Sequence, residues 1–130
     1  KPVMSLYSKL STVFPISKGD TVGYGRLFTS DKQLLCGSIP VGYADGLSRS
    51  LSNKMQVIIH NKMFDQIGRV SMDRINVNLQ NNKIKINSRV ILLGSSKKRK
   101  IDAWDWSKRL DTIPYEVTCN ISKRIPRIYI

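Results

Sequence analysis

The chain has 130 residues, 41% of them hydrophobic and 24% charged, enough for one domain with a single buried core and unlike a disordered or fibrous protein. Lysine and arginine number 22 against 9 aspartates and glutamates, a net charge of +13, so a polyanionic partner such as nucleic acid has to be weighed. No apolar run approaches the roughly 18 residues that a membrane span needs, and the opening Lys1-Pro2, with no signal-like stretch after it, is read as the start of a piece from a longer protein.

Val3 to Phe14 reads as an extended, partly alternating strand ending at Pro15, and Lys18-Gly19-Asp20 as the turn after it. That turn feeds Thr21-Val22-Gly23-Tyr24-Gly25-Arg26, the stretch around which the chain is organised. Glycines on both sides of Tyr24 widen the allowed backbone and can push the phenol away from the chain. A phenol has a pKa of about 10 and moves protons near neutrality only where its surroundings adjust it; a nearby arginine does so by favouring the phenolate. On these residues alone Tyr24 is either a turn aromatic packed on a core or a group aimed at a reaction. The string Thr21-Val22-Gly23-Tyr24-Gly25 also matches a potassium-channel filter, but that filter needs flanking membrane helices, which this chain does not supply.

Gln33 to Val41 is apolar and β-branched, a buried strand interrupted by Pro40, and Gly42-Tyr43-Ala44-Asp45-Gly46 is a tight glycine-bounded loop. Met55–Ile59 and Met63–Val70 read as hairpin partners around His60-Asn61-Lys62. Ile75, Val77 and Leu79 alternate with polar residues as a half-buried strand, Asn81-Asn82 turns the chain, and Ile84 and Ile86 alternate again with lysines. Val90–Leu93 is a short core strand stopped by Gly94. The dense run Lys97-Lys98-Arg99-Lys100 is read as a solvated loop.

One helix is expected near 102–111. Asp102 caps it, Asp105 lies in its first turn, and Ile101 with Trp106 can form a hydrophobic staple. Thr112–Val117 and Arg124–Ile130 are expected to be extended. Trp104 and Trp106 are read as packing groups. Cys36 and Cys119 have no metal-type spacing and are expected to be buried free thiols, while a lone His60 argues against a metal site or a histidine base. Many short strands with one helix make the chain mainly β, a barrel or a sandwich.

Five strings in this order carry a resemblance: Val22-Gly23-Tyr24-Gly25, Pro40-Val41-Gly42-Tyr43-Ala44-Asp45-Gly46, Gly68-Arg69-Val70-Ser71-Met72-Asp73, Thr112-Ile113-Pro114-Tyr115-Glu116-Val117 and Arg124-Ile125-Pro126-Arg127-Ile128-Tyr129. Together they closely resemble the C-terminal domain of alanine racemase, a fold-type III pyridoxal-phosphate enzyme, along essentially all of residues 1–130. The resemblance implies a mainly β, barrel-like domain that is presented to the TIM-type N-terminal barrel of a dimer partner. That barrel carries the cofactor lysine, and nothing in this chain resembles its lysine segment.

The resemblance also implies roles. Tyr24 is similar to the tyrosine that exchanges the α-proton with L-alanine, opposite the cofactor lysine. Met72 matches a position whose backbone meets the substrate carboxylate, and Tyr43 one that lines the narrow entrance. Tyr115 matches a tyrosine that bonds the cofactor phosphate. Arg49 matches an arginine behind the catalytic tyrosine, and Asp73 supports the Met72 loop. Pro114 before Tyr115 and Arg74 after Asp73 depart from the family pattern. The implied whole is a cytoplasmic homodimer that supplies D-alanine for peptidoglycan, with this chain alone inactive. A racemase of serine or of broad specificity is the nearest alternative. A basic β-barrel that binds nucleic acid is the rival of another class; it predicts affinity falling steeply with salt, but the sequence lacks a clustered aromatic platform.

Overall fold

A computed structural model describes residues 4–130, and at Tyr24 the backbone alone. Among the described residues ten strands form, all paired antiparallel. They are β1 (Leu6–Lys9), β2 (Thr12–Ile16), β3 (Thr21–Val22), β4 (Phe28–Thr29), β5 (Leu34–Ile39), β6 (Gln56–Ile59), β7 (Lys62–Ile67), β8 (Ile75–Gln80), β9 (Arg89–Ser95) and β10 (Lys100–Ile101). The main sheet runs β1-β9-β6-β7-β8-β5-β2, with β10 added on β9, and β3 pairs with β4 separately.

The two ends of that sheet are halves of one nearly continuous stretch. β1 pairs with β9 and β2 pairs with β5, with only Leu10 and Ser11 between them. At this corner Leu10 donates to the Ser88 carbonyl (3.0 Å) and Ser11 to the Ser38 carbonyl (2.9 Å), so the backbone hands over from one edge to the other with its hydrogen bonds made. The sheet therefore curls on itself, the barrel-like architecture implied by the sequence. The single strand expected from Val3 to Phe14 is thus two, broken at the corner, and Val3 lies outside the described residues. Pro15, expected to end it, sits inside β2, which is last in the sheet and tolerates a residue without an N–H.

Inside the curl, Leu10, Ile39, Leu47, Leu51, Ile75, Val77, Leu79 and Leu92 are buried in one cluster with Trp106, Val117 and Ile121. A smaller cluster of Ile16, Val22, Leu34, Cys36 and Ile67 lies under β3. β8 keeps the expected alternation, with Ile75, Val77 and Leu79 inward. The β6–β7 hairpin turns at His60 and Asn61, both at positive φ (51° and 63°), which Asn tolerates well. Ile84 and Ile86 belong to no strand. Ile84 packs against the core and Ile86 is exposed, so their alternation had no partner strand to satisfy it.

Helix α1 (Ala103–Leu110) forms where expected, with Asp102 accepting from the Asp105 N–H (3.1 Å) and Asp105 accepting from the Asp102 N–H (2.8 Å). A second helix was not expected. The stretch predicted to be extended at Thr112–Val117 is instead the start of α2 (Pro114–Cys119). Pro114 occupies its first turn, where a missing N–H costs nothing and a fixed φ helps. The residues from Arg124 to Ile130 form no strand either; they run as turns and irregular chain, their shape set by side-chain bonds described below. Of the two cysteines, Cys36 is buried as expected but Cys119 is exposed at the end of α2.

Two outcomes follow. Asp102→Ala should lower stability by about 1 kcal/mol in urea unfolding, because it removes one half of a reciprocal cap. Burial pushes the Cys36 thiol up to about 12, so at pH 8 a thiol reagent should label Cys119 in the native protein and Cys36 only after unfolding, as read by peptide mapping.

Candidate active site

Three loops meet at one end of the curled sheet. The first is the Gly-Tyr-Gly turn between β3 and β4. Gly23 has φ 78° and Gly25 φ 71°, a region that residues with a Cβ rarely enter. A Cβ on Gly23 would lie 3.0 Å from the Arg69 backbone nitrogen, and one on Gly25 would lie 3.2 Å from an Arg69 guanidinium nitrogen. The turn is thus pressed onto Arg69, with the guanidinium close against Gly25. The Tyr24 side chain lies outside the described residues.

The second loop, Gly68–Arg74, is held from below by a polar network. Buried Gln66 donates to the Ile67 and Gly68 carbonyls (3.0 and 2.8 Å) and accepts from the Asn53 N–H (2.8 Å). Asn53 accepts from the Gly68 N–H (2.6 Å), and the Ser52 hydroxyl accepts from the Val70 N–H (2.8 Å) while donating to the Arg49 carbonyl (2.6 Å). Every buried polar group in this chain of contacts finds a partner, which fixes the loop rather than merely covering it.

The third loop is Gly42–Gly46, which crosses the second backbone to backbone. Tyr43 donates to the Ser71 carbonyl (2.9 Å) and Ala44 to the Met72 carbonyl (3.0 Å). This approach needs a hydrogen at Gly42: a Cβ there would fall inside the Ser71 carbonyl oxygen and 2.5 Å from the Met72 carbonyl carbon. The result is an open cleft of about 660 Å³ lined by Tyr43, Arg49, Val70, Ser71, Met72, Asp73 and Arg74. Tyr43 and Met72 are 43% and 52% exposed, so both are open to contact from outside the chain.

Of the residues singled out from the sequence, four converge here: Tyr43, Arg49, Met72 and Asp73. The Tyr24 backbone joins them indirectly, because Arg69 under Gly23 and Gly25 is followed after one residue by Ser71 and Met72. Tyr115 does not line the cleft. It projects from the first turn of α2 and is 78% exposed. Among the described residues no group of three or more His, Cys, Asp or Glu side chains could hold a metal ion, and no helix is long and apolar enough to cross a membrane. The run expected to be a solvated loop is exposed and irregular from Lys97 to Arg99, but Lys100 begins β10; Lys98, Arg99 and Lys100 line a different groove together with Lys62.

The model of the alanine racemase C-terminal domain matches residues 3–129 of this chain. The chain belongs to that family. It is 44% identical over 132 residues to the alanine racemase of Clostridium novyi and 40% identical over 130 residues to that of Helicobacter pylori, covering all of this chain and 34% of each relative. It superposes on the crystal structure of alanine racemase from E. faecalis with TM-score 0.95 at 33% identity, covering 100% of this chain and 34% of that one. Alanine racemase from Bacillus anthracis with bound L-Ala-P matches equally well, with TM-score 0.95, 30% identity and coverage of 100% and 33%. The chain therefore spans about a third of the length of the racemases it matches.

Within this racemase domain the sequence reading missed three groups. Arg69 supplies a guanidinium that lies against the Gly-Tyr-Gly turn. Asp45 and Arg124 form an ion pair (2.6 Å) that ties the third loop to the C-terminal segment. Burial alone would push the Asp45 carboxyl up; the hydrogen bonds from Arg124 and from the Gly42 N–H (2.9 Å), with the Arg124 charge, outweigh it and hold the carboxyl below its ordinary value. The same bonds to Asp45 and Asp73 raise Arg124 further above neutrality. Because the folded-state value of Asp45 is lowered, its contribution to stability is full above the ordinary aspartate value of about 3.9 and is lost as pH falls through the folded value. The urea midpoint should therefore drop as pH is lowered past about 4, and Asp45→Asn should flatten that part of the acid profile.

Proposed function

We propose that this chain is the second domain of an alanine racemase, acting with an upstream barrel domain to interconvert L- and D-alanine in the cytoplasm of a bacterium. Its part is to complete the substrate-binding half of the site and to exchange the α-proton on one face. The observation that carries this is the cleft itself. The Tyr43 and Met72 loops meet backbone to backbone beside a turn that two glycines press onto Arg69, in a domain of this family.

Racemisation removes a proton from one face of the α-carbon and returns one to the other, so it needs two groups on opposite sides. Tyr24 is the group on this chain. The turn that carries it lies against the Arg69 guanidinium at Gly25, and positive charge close to a phenol is one way to make a tyrosine serviceable as a base. The second group is the lysine of the upstream barrel of a dimer partner. The Met72 backbone meets the substrate carboxylate, Arg49 and Arg74 give the cleft wall a positive lining, and exposed Tyr43 narrows the entrance.

The donor set fits pyridoxal phosphate in part. Tyr115 is exposed and available to bond the phosphate of a group carried by a neighbouring domain, and the cleft offers guanidinium groups to anions. The cleft lining contains no lysine, so covalent attachment falls to the upstream domain. When bound, pyridoxal phosphate supplies the electron sink that makes the α-proton removable. Pro114 ahead of Tyr115 is compatible with this role, because it starts the helix that carries the phenol rather than distorting a strand.

The test uses the full-length dimer. D-Alanine formed from L-alanine is measured beside the absorbance of bound cofactor, with L-serine as a competing substrate. Tyr24→Phe should cut racemisation by about a hundredfold or more while leaving cofactor loading unchanged. Activity within a few-fold of the parent would remove Tyr24 from the proton transfer, and faster turnover of serine than of alanine would reassign the substrate.

A further inference from the structure

Arg124 lies 51 residues from Asp73 and 79 from Asp45 in sequence, yet it bonds both. Its Nε donates to Asp45 Oδ1 at 2.6 Å and an Nη donates to Asp73 Oδ1. A planar guanidinium can serve two carboxylates at a fixed angle; a lysine ammonium has no such fork. Each carboxylate is anchored in turn. The other Asp45 oxygen accepts from the Gly42 N–H (2.9 Å), at the point where the Tyr43 loop crosses the Met72 loop, and the Asp45 carbonyl accepts from the Ser122 N–H (3.0 Å). Asp73 directly follows Met72 in a turn closed by the Ser71 N–H on the Arg74 carbonyl (3.0 Å). The segment that carries Arg124 is held separately by Arg127, whose guanidinium donates to the carbonyls of Ser122, Ile125 and Ile121.

Asp73 lines the cleft, where its charge would repel an incoming carboxylate. The bond from Arg124 offsets that charge and fixes the turn behind Met72 with the same two atoms.

We propose that Arg124 is a positioning residue for substrate binding. By bridging Asp45 and Asp73 it sets where the Met72 backbone stands in the cleft and so governs affinity for the carboxylate of the amino acid, taking no part in the proton transfer. This rests on the racemase reading above. It places the affinity for substrate partly in a segment that never touches it.

The experiment compares Arg124→Ala, Arg124→Lys, Asp73→Ala and the double variant Arg124→Ala with Asp73→Ala in the full-length enzyme. Arg127→Ala is the control for general loosening of the C-terminal segment. Steady-state kinetics with L-alanine should show KM raised about tenfold in Arg124→Ala with kcat within about threefold, the pattern of lost binding that is equal in the ground and transition states. Arg124→Lys should fall between, since an ammonium keeps the charge but lacks the fixed planar fork that spans both carboxylates. The double variant should be no worse than Arg124→Ala alone, because that single change has already broken the Arg124–Asp73 bond. Amide hydrogen exchange gives a readout independent of turnover: the Tyr43 and Ala44 N–H groups, which donate to Ser71 and Met72, should exchange about tenfold faster in Arg124→Ala than in the parent.

An unchanged KM in folded Arg124→Ala overturns the proposal, as do strictly additive effects in the double variant or an equal KM rise in Arg127→Ala. Should Arg124→Ala fail to fold, unchanged amide exchange at Tyr43 and Ala44 in Asp73→Ala overturns it equally. If the parent enzyme does not racemise alanine, the racemase reading fails, and unchanged exchange at Tyr43 and Ala44 then overturns the clamp on its own terms.

Discussion

Two backbone hydrogen bonds, from Tyr43 to Ser71 and from Ala44 to Met72, hold the site loops in register. They exist only because Gly42 offers no side chain at the crossing. Everything nearby serves that contact. Ser52, Asn53 and Gln66 support one loop from below, Asp45 caps the other onto Gly42, and Arg124 closes the outside. A side chain in such a place is aimed by backbone geometry, which gives a site more precision than a flexible loop on its own could.

Features set by neighbours in sequence were legible before the fold was known. The reciprocal cap of Asp102 and Asp105 spans three residues, and the alternation of Ile75, Val77 and Leu79 needs only the strand itself. The ordered strings around Tyr43 and Met72 named most of the cleft lining as well. Tyr115 was assigned to an extended stretch because Thr112, Ile113 and Val117 have strand preferences; the packing of Val117 and Ile121 into the core overrode them. Arg124 and Asp45 could not be paired from sequence, since no local pattern links residues so far apart. Arg69 was visible as part of a motif, but its place against Gly25 depends on φ values that letters do not state.

The strong positive charge is for the most part not spent on internal pairing. The ion pairs among the described residues are Lys100 with Asp102 and Arg124 with Asp45 and Asp73, so one arginine takes two of them. With so few acids the chain cannot pair its 22 lysines and arginines internally, and most remain solvated. Exposed pairs of this kind contribute little to stability in any case. The double pair at Arg124 differs because Asp45 is largely enclosed and has a second fixed donor, so the guanidinium is held from the buried side.

The corner at Leu10 and Ser11 lets the stretch from β1 to β2 seal both margins of the main sheet at once. Trimming that stretch would uncover β9 and β5 together, leaving two long hydrogen-bonding rims where the intact chain has none free at those strands. During synthesis the same geometry imposes a wait: β1 cannot settle until β9, some eighty residues later, has been made. A nascent molecule of this kind is therefore most prone to sticking to its siblings just before closure.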